Sequence, residues 1–221
     1  MTHLDTEIHL LKEELIEMHR LVRSQMSKGK NALFTYDIGL AREVIATEKR
    51  INGLELKIDR DCENILALFN PVAIDLRFVL AALKINSNLE RIGDYAEGIA
   101  RYLLDVKGPF SEKILSDYNV SEMYLTTVSM MDDALDALIK EDTSLARSVF
   151  IKDASLDKMN KSATQTTLRY ISENNEDALH YLNLLSIIRK MERAGDQTKN
   201  VAEEIIFFIE AKVLKHGGAQ K

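Results

Sequence analysis

The sequence predicts an all-α protein made of two pseudo-symmetric, antiparallel three-helix bundles. Its composition is dominated by helix formers, with only two prolines and nine glycines in 221 residues. The segment LERIGDYAEGIA at 89–100 returns as MERAGDQTKNVA at 191–202, and ALFTYDIGLAREV at 32–44 returns as ALIKEDTSLARSV at 137–149. The two offsets, 102 and 105 residues, are nearly equal. The duplication therefore covers an ordered series of elements and is not limited to a single motif.

The first half contains three predicted helices. Apolar residues at alternating steps of four and three predict a helix over residues 4–36. Asp37 is the predicted N-cap of the second helix, whose apolar stripe continues to Asn70. The third helix is expected to begin at Pro71, because proline lacks only an N–H that the first turn leaves unbonded anyway. It is expected to end near Val106, before a Gly-Pro dipeptide.

The same plan recurs in the second half. Three further helices are predicted, over residues 111–140, 142–173 and 175–214. Asp142 is the expected N-cap of the fifth helix, since it occupies the place of Asp37 in the first copy. The predicted domains are one three-helix repeat over residues 1–108 and a second over 109–216. Residues 217–221 are expected to form a disordered tail.

The charge balance argues against a nucleic-acid-binding protein. The formal net charge is −6 and the isoelectric point is about 5.5. Binding to a phosphate backbone calls instead for clustered lysine and arginine. A cationic partner or a metal ion suits this composition better.

Features that bear on the compartment predict a cytoplasmic protein. The first residues lack the basic and apolar segments of a signal peptide. No apolar run approaches the roughly 20 residues of a membrane span, so contact with a membrane is expected only through a partner. Cys62 is the only cysteine, which excludes an intrachain disulfide and a cysteine-based metal site. We expect it to be a packing residue of the second helix.

The candidate site residues are polar side chains spaced four apart on helical sequence. Four such pairs are candidate metal ligands: Glu48 and Asn52, Glu90 and Asp94, Asp153 and Asp157, and Glu192 and Asp196. Residues i and i+4 share one helix face, where like charges repel by about 0.2–0.5 kcal/mol per pair. Because the arrangement recurs in both copies, it calls for an offsetting cation.

Two cations are compatible with this spacing. Arg91 and Arg193 are placed to pair with Asp94 and Asp196 on a solvated helix face. The alternative is a metal ion. It is favoured by Gly93 in the first block and by its counterpart Gly195 in the second. Glycine inside a helix costs about 1 kcal/mol relative to alanine, so it suggests that something approaches the backbone closely. Oxygen ligands of this kind suit Mg²⁺, Ca²⁺, Mn²⁺ or iron.

Sequence motifs of known catalytic sites are missing. Ferritin-type dinuclear enzymes use Glu-x-x-His, and the nearest match is Asp177-x-x-His180, which has no copy in the first half. His180 is expected to be an ordinary helix residue. Nucleotide-binding and hydrolase motifs are also absent from the sequence. Asp75 and Arg77 are expected to be structural, the acid favouring the helix dipole and the arginine anchoring a neighbouring helix.

The segment NPVAIDLRFVLAALKINSNLERIGDYAEGIA, its partner MERAGDQTKNVAEE and the acidic pairs together resemble the PhoU family, regulators of bacterial phosphate uptake. The resemblance covers nearly the whole chain. It implies a PhoU-like tandem repeat, a cytoplasmic homodimer and no enzymatic activity. It also implies an adaptor between the ATPase subunit of the phosphate ABC transporter and a phosphate-sensing histidine kinase, which keeps the phosphate regulon off when phosphate is plentiful.

The resemblance further implies multinuclear iron or zinc clusters at acidic motifs on the bundle surface. By position these would involve seven carboxylates: Glu48, Glu90, Asp94, Asp153, Asp157, Glu192 and Asp196. Asn52 stands where the family has an acid, and an amide oxygen brings no charge. We therefore expect the second half to bind metal more tightly than the first.

The expected function is thus negative regulation of phosphate uptake by an adaptor protein. Two alternatives remain open at this point. One is a metal-dependent enzyme built on carboxylate-bearing helices. The other is an inert helical scaffold, in which the acidic stripes are solvated faces and no metal binds.

Overall fold

The computed structural model describes residues 2–214, so the predicted tail at 217–221 lies outside the described residues. Within that range the chain forms seven α-helices and one short 3-10 turn at Asn175–Asp177, and no strand. The helices are α1 (His3–Thr35), α2 (Ile38–Phe69), α3 (Ala73–Asp105), α4 (Glu112–Asp117), α5 (Val120–Lys140), α6 (Thr143–Glu173) and α7 (Ala178–Glu210). The predicted all-α class is confirmed.

Polar side chains cap the helices that the sequence marked. The Asp37 carboxylate accepts a hydrogen bond from the backbone N–H of Leu40 at 2.9 Å, at the start of α2. Asp142 accepts one from the N–H of Ser144 at 2.8 Å, at the start of α6. Each bond satisfies an N–H group that the first turn leaves without a helical partner. Both predicted N-caps are confirmed.

The link between α2 and α3 differs from the prediction. The helix was expected to begin at Pro71, but α3 begins at Ala73 and Val72 is its N-cap, in an extended conformation. Asn70 ends α2 with φ of 46°, in the left-handed region that asparagine tolerates better than most residues. Pro71 therefore belongs to the turn and not to the first helical turn.

Two predicted helices of the second half are also shorter than expected. The single helix over 111–140 is divided into α4 and α5, because Asn119 adopts φ of 53° and stops the run of helical bonds. The side chain before the break, Tyr118, is buried and donates a hydrogen bond to Thr167 Oγ1 at 2.9 Å. The sixth helix begins only after the 3-10 turn and ends at Glu210, where Ala211 turns left-handed.

The helices pack as two groups of three that share one core. In the first half α1, α2 and α3 contact one another, and in the second half α5, α6 and α7 do so. Among the described helices the most extensive contact joins α3 to α7, and α1 also packs on α5. Buried apolar residues of both halves form a continuous cluster. The predicted pair of pseudo-symmetric three-helix bundles is confirmed, with the two bundles joined along α3 and α7.

Polar contacts reinforce the joint between the halves. Arg77 of α3 donates from Nε to the carbonyl oxygen of Phe208 at 3.1 Å, in the last turn of α7. That carbonyl has no partner within its own helix, so the guanidinium caps the helix end. Farther along, Lys84 Nζ lies 3.0 Å from Oε2 of the buried Glu204. The prediction that Arg77 anchors a neighbouring helix is confirmed.

Cys62 is a fully buried thiol on α2. Burial raises its pKa to about 12, so the reactive thiolate is strongly disfavoured. Its predicted packing role is confirmed. Across residues 2–214, no helix combines the length and the apolar character needed to cross a membrane.

Candidate metal centre

Close packing between α2 and α3 brings candidate ligands of the first half together. A Cβ atom on Gly93 would lie 3.0 Å from Ile51 Cδ1 and 3.4 Å from Glu48 Oε2. The glycine thus lets an aliphatic side chain and a carboxylate approach the backbone of α3. In the second half Gly195 lies against Leu156, which is equivalent to Ile51 at the offset of 105 residues. The repeated glycines are a packing device that sets the distance between the acidic helices.

The first acidic cluster consists of Glu48 from α2 with Glu90 and Asp94 from α3. Each residue offers one carboxylate oxygen, and these three oxygens lie within 4.8 Å of one another. Glu48 is only 7% exposed, and within residues 2–214 neither of its oxygens forms a hydrogen bond of normal geometry. A buried carboxylate without a partner is costly, so this group calls for a proton or a cation.

Simultaneous ionisation of the carboxylates in the first cluster is unfavourable. Burial raises the pKa of Glu48 to about 7, the negative charges of Asp94 and Glu97 add to the shift, and the nearby side-chain amide of Gln25 opposes it. Burial also raises the pKa of Glu90, with Asp94 and Glu55 adding to it. The pKa of Asp94 rises for the same reason, and Glu97 contributes. A metal ion among these oxygens would relieve both the desolvation and the repulsion.

The second acidic cluster consists of Asp153 and Asp157 from α6 with Asp196 from α7. One oxygen of each again lies within 4.8 Å of the others. Burial raises the pKa of Asp196, and the charges of Asp153 and Asp157 raise it further. In contrast to the first cluster, its most buried member has a partner, because Lys199 Nζ lies 2.7 Å from Asp153 Oδ2.

Six of the eight predicted ligands are therefore brought together, three in each half. Glu192 lies beside the second cluster but outside this set of three. Burial and the nearby charge of Asp196 raise the pKa of Glu192. Asn52 lies exposed on α2, one turn beyond Glu48.

The arginines that were expected to neutralise the acids do not pair with them. Over residues 2–214, Arg91 forms no ion pair with Asp94, and Arg193 forms none with Asp196. Both guanidinium groups belong to exposed residues. The charge of Arg193 lowers the pKa of Asp196 from a distance, after the larger effects of burial and of the other acids. The arginines of α3 and α7 therefore do not neutralise the acidic pairs of their own helices through ion pairs.

Four neighbours of the clusters were missed by the sequence analysis. Offsets of 105 and 102 residues pair Glu55 with Asn160, and Glu97 with Lys199. Each lies close enough to a cluster to shift the pKa of one of its carboxylates or of Glu192. Extending the same alignment one helical turn beyond the four pairs would have found them.

The chemistry of both clusters is that of oxygen ligands alone. Carboxylate sets without histidine or cysteine suit Mg²⁺, Mn²⁺, Ca²⁺ and iron better than zinc, whose sites favour nitrogen and sulfur. The partnerless oxygens of Glu48 show that the first cluster fits such an ion. The three acids also leave one side open, because Asp94 is exposed.

His180 takes no part in either cluster. Its ring packs on Phe110 with centroids 4.1 Å apart, and it precedes Glu192 by 12 residues of α7, roughly 18 Å along the helix axis. Burial lowers its pKa. The expectation of an ordinary helix residue is confirmed.

Comparison with protein families shows that one family matches the chain in two separate ranges. The family described as "PhoU domain" matches residues 15–103 and 120–205. The chain is 32% identical over 214 residues to the phosphate-specific transport system accessory protein PhoU homolog of Pseudomonas aeruginosa, which covers 97% of this chain and 88% of that protein. It is 28% identical over 217 residues to the PhoU protein of Escherichia coli K12, which covers 98% and 89%.

Solved structures agree with these sequence matches. The crystal structure of PhoU from Pseudomonas aeruginosa superposes with a TM-score of 0.88 at 31% identity, covering 95% of this chain and all of that one. The phosphate transport system regulatory protein PhoU from Streptococcus pneumoniae superposes with a TM-score of 0.87 at 28% identity, covering 96% and 99%. Both matches span the two halves.

Proposed function

Because the chain belongs to the PhoU family of phosphate transport accessory and regulatory proteins, we propose that it is a cytoplasmic negative regulator of phosphate uptake and of the phosphate regulon. It works as a homodimeric adaptor and not as an enzyme. Its partners are the ATPase subunit of the phosphate ABC transporter and a phosphate-sensing histidine kinase, and it meets the membrane only through them. The observation that carries the proposal is the match, over nearly the whole chain and both repeats, to accessory proteins of phosphate-specific transport.

The acidic clusters give the adaptor its means of docking. Helices α3 and α7 carry Glu90, Asp94, Glu192 and Asp196, and within residues 2–214 none of these four carboxylates forms an ion pair; the one lysine bound at a cluster, Lys199, pairs with Asp153 of α6. Such a surface attracts partners of complementary charge and steers their approach. An association of this kind weakens as salt concentration rises.

Metal binding is the second part of the proposal. The clusters formed by Glu48, Glu90 and Asp94 and by Asp153, Asp157 and Asp196 would hold oxygen-preferring ions, iron among them, with Asn52 and Glu192 at their edges. Support comes from the convergence of three carboxylates in each half and from the partnerless Glu48. The ion would neutralise the cluster and offer open coordination positions to an oxygen ligand of a partner.

The test is the combined change of Glu90, Asp94, Glu192 and Asp196 to their amides. The matched control changes four exposed acids outside the clusters in the same way: Glu13, Glu63, Glu112 and Glu122. Both variants are examined by circular dichroism, by co-purification with the transporter ATPase and the kinase, and by a phosphate-regulon reporter in phosphate-rich medium. We expect the cluster variant to remain helical but to lose partner binding and repression, whereas the control keeps both.

The opposite result has a defined meaning. A folded cluster variant that still binds both partners and still represses the reporter would show that the carboxylates are solvated faces, as in an inert scaffold. Equal loss in cluster and control variants would show that total charge matters and that the clusters do not.

A further inference from the structure

The two acidic clusters are not equivalent, although the repeat places them at matching positions. At the offset of 105 residues Glu48 corresponds to Asp153, and at the offset of 102 residues Glu97 corresponds to Lys199. Both buried positions therefore hold an acid. Beside that acid the first half has a second carboxylate, and the second half has an ammonium group.

In the second cluster the ammonium group engages the buried acid directly. Lys199 Nζ lies 2.7 Å from Asp153 Oδ2, and Asp153 is 5% exposed. Breaking one side of a buried ion pair leaves an uncompensated charge, which is costly. A metal ion that enters here must replace this contact.

In the first cluster, no lysine or arginine among residues 2–214 forms an ion pair with Glu48, Glu90 or Asp94. Glu97 is bonded to Arg101 at 2.6 Å, one turn farther along α3. Lys190 of α7 lies over the rings of Tyr95 and Tyr102, with its Nζ 5.7 Å and 5.8 Å from the ring centroids. It lowers the pKa of Asp94 only at a distance. Neither oxygen of Glu48 forms a hydrogen bond of normal geometry within residues 2–214.

The formal charges follow the same division. The first cluster and its neighbours comprise five carboxylates and one guanidinium group, which is paired with Glu97: Glu48, Glu55, Glu90, Asp94, Glu97 and Arg101. The second comprises four carboxylates and one ammonium group: Asp153, Asp157, Glu192, Asp196 and Lys199. The second half gains one negative charge at Asp157, where the first half has Asn52. It loses more negative charge where Asn160 replaces Glu55 and Lys199 replaces Glu97.

We infer that Lys199 is a built-in cation of the second cluster that competes with metal for Asp153, and that the first cluster is the tighter metal site. This inference rests on the proposed metal binding. It gives the opposite order to the one expected from Asn52 and Asp157 alone. The first cluster takes up metal at low concentration, and the second remains closed by its own lysine until the concentration is much higher.

The experiment isolates each cluster and titrates metal-free protein with Mn²⁺ by calorimetry. E48Q disables the first cluster and reports on the second, whereas D196N disables the second and reports on the first. In the E48Q background, K199M should strengthen Mn²⁺ binding by roughly tenfold or more. The control K158M removes the charge of an exposed lysine on α6 and should leave the affinity unchanged.

The reciprocal variant tests the same idea on the first cluster. In the D196N background, E97K places an ammonium group where Lys199 stands in the other half, and should weaken Mn²⁺ binding by roughly tenfold or more. Thermal unfolding supplies a second readout. Metal-free K199M should be less stable than the intact protein, and Mn²⁺ should restore its stability.

The possible failures are distinguishable. If Mn²⁺ binds to neither the intact protein nor any variant, the proposed metal binding itself is wrong. If Mn²⁺ binds but K199M and E97K leave both affinities unchanged, or if the second cluster binds more tightly in the intact protein, metal binding stands and the role given to Lys199 is wrong.

Discussion

The carboxylate of Glu48 lies against the backbone of Gly93, so close that a Cβ atom at residue 93 would come within 3.4 Å of its Oε2 atom. The contact links the packing of two helices to the chemistry of the first cluster. If the helices stood farther apart, Glu48 would not reach Glu90 and Asp94. Interhelical distance therefore decides whether the acids form a site.

The glycines themselves provide the first prediction. A Cβ atom at Gly195 would overlap Leu156 Cδ1 in the core, whereas one at Gly93 would press less severely on Ile51. We expect Gly195→Ala to lower the free energy of unfolding by about 1–3 kcal/mol, and Gly93→Ala to lower it less. Urea denaturation measures both.

Gly53 is the matched control for these two glycines. It lies on α2 with no atom near its added Cβ, so Gly53→Ala should stabilise the protein by about 0.5–1 kcal/mol through helix propensity. A stabilising Gly195→Ala would contradict the packing explanation.

His19 provides a prediction about acid stability. It is fully buried, its Nε2 lies 2.8 Å from the carbonyl oxygen of Met131, and burial lowers its pKa to about 4. The unfolded chain takes up a proton near pH 6.5 and the native protein does not. The free energy of unfolding should therefore fall as pH drops from 6.5 to 4, by at most about 3 kcal/mol from this residue.

The His19 prediction is checked by urea denaturation at several pH values. His19→Gln retains an N–H donor for the carbonyl group and should flatten the dependence between pH 6.5 and 4. His9→Gln, which changes an exposed histidine on the same helix, should not. An unchanged slope in His19→Gln would mean that another group controls acid unfolding.

Glu48 provides a prediction of opposite sign. Its pKa in the folded protein is raised to about 7, so the native state holds a proton that the unfolded chain loses above pH 4.5. The free energy of unfolding of metal-free protein should fall as pH rises from 4.5 through 7, by at most about 3 kcal/mol from this residue. Added Mn²⁺ should reverse the loss.

Glu48→Gln should remove this dependence and stabilise the metal-free protein at pH 8. Glu63→Gln, an exposed position on the same helix, has the same change in charge and should leave the pH profile as it is. Persistence of the slope in Glu48→Gln would assign it to other carboxylates.

Cys62 is predicted to serve packing alone. Cys62→Ala should lower the free energy of unfolding by about 1 kcal/mol, because it removes one buried sulfur atom from the core. Reporter repression in phosphate-rich medium should be unaffected. Loss of repression by a folded Cys62→Ala protein would indicate a regulatory thiol instead.

Much of the fold could be predicted because its signals are local. Asp37 and Asp142 precede apolar stripes, and the structure uses both as caps. The break at Asn119 had no glycine or proline to announce it. It depends on a left-handed asparagine and on Tyr118, which is held by Thr167 on another helix. Contacts of that range are not encoded in helical spacing.

The candidate site, like the fold, could be predicted only in part from local sequence signals. Spacing identified Glu90 and Asp94 as well as Asp153 and Asp157, and the repeat then led to Glu48. The offset alone could have marked Lys199 as the counterpart of an acid, but only the packing of α6 on α7 shows that its ammonium group reaches Asp153. The distance across two helices is a tertiary property.

The contact between α3 and α7 also has a consequence for the origin of the molecule. Each of these helices is the third of its repeat, and each covers the apolar face of the other within a common core. A single repeat expressed alone would leave that face in water, and the surface that complements it best is the same face of a second copy. In the intact chain the covalent link keeps α3 and α7 together, so the two repeats can differ in sequence without exposing the faces they share.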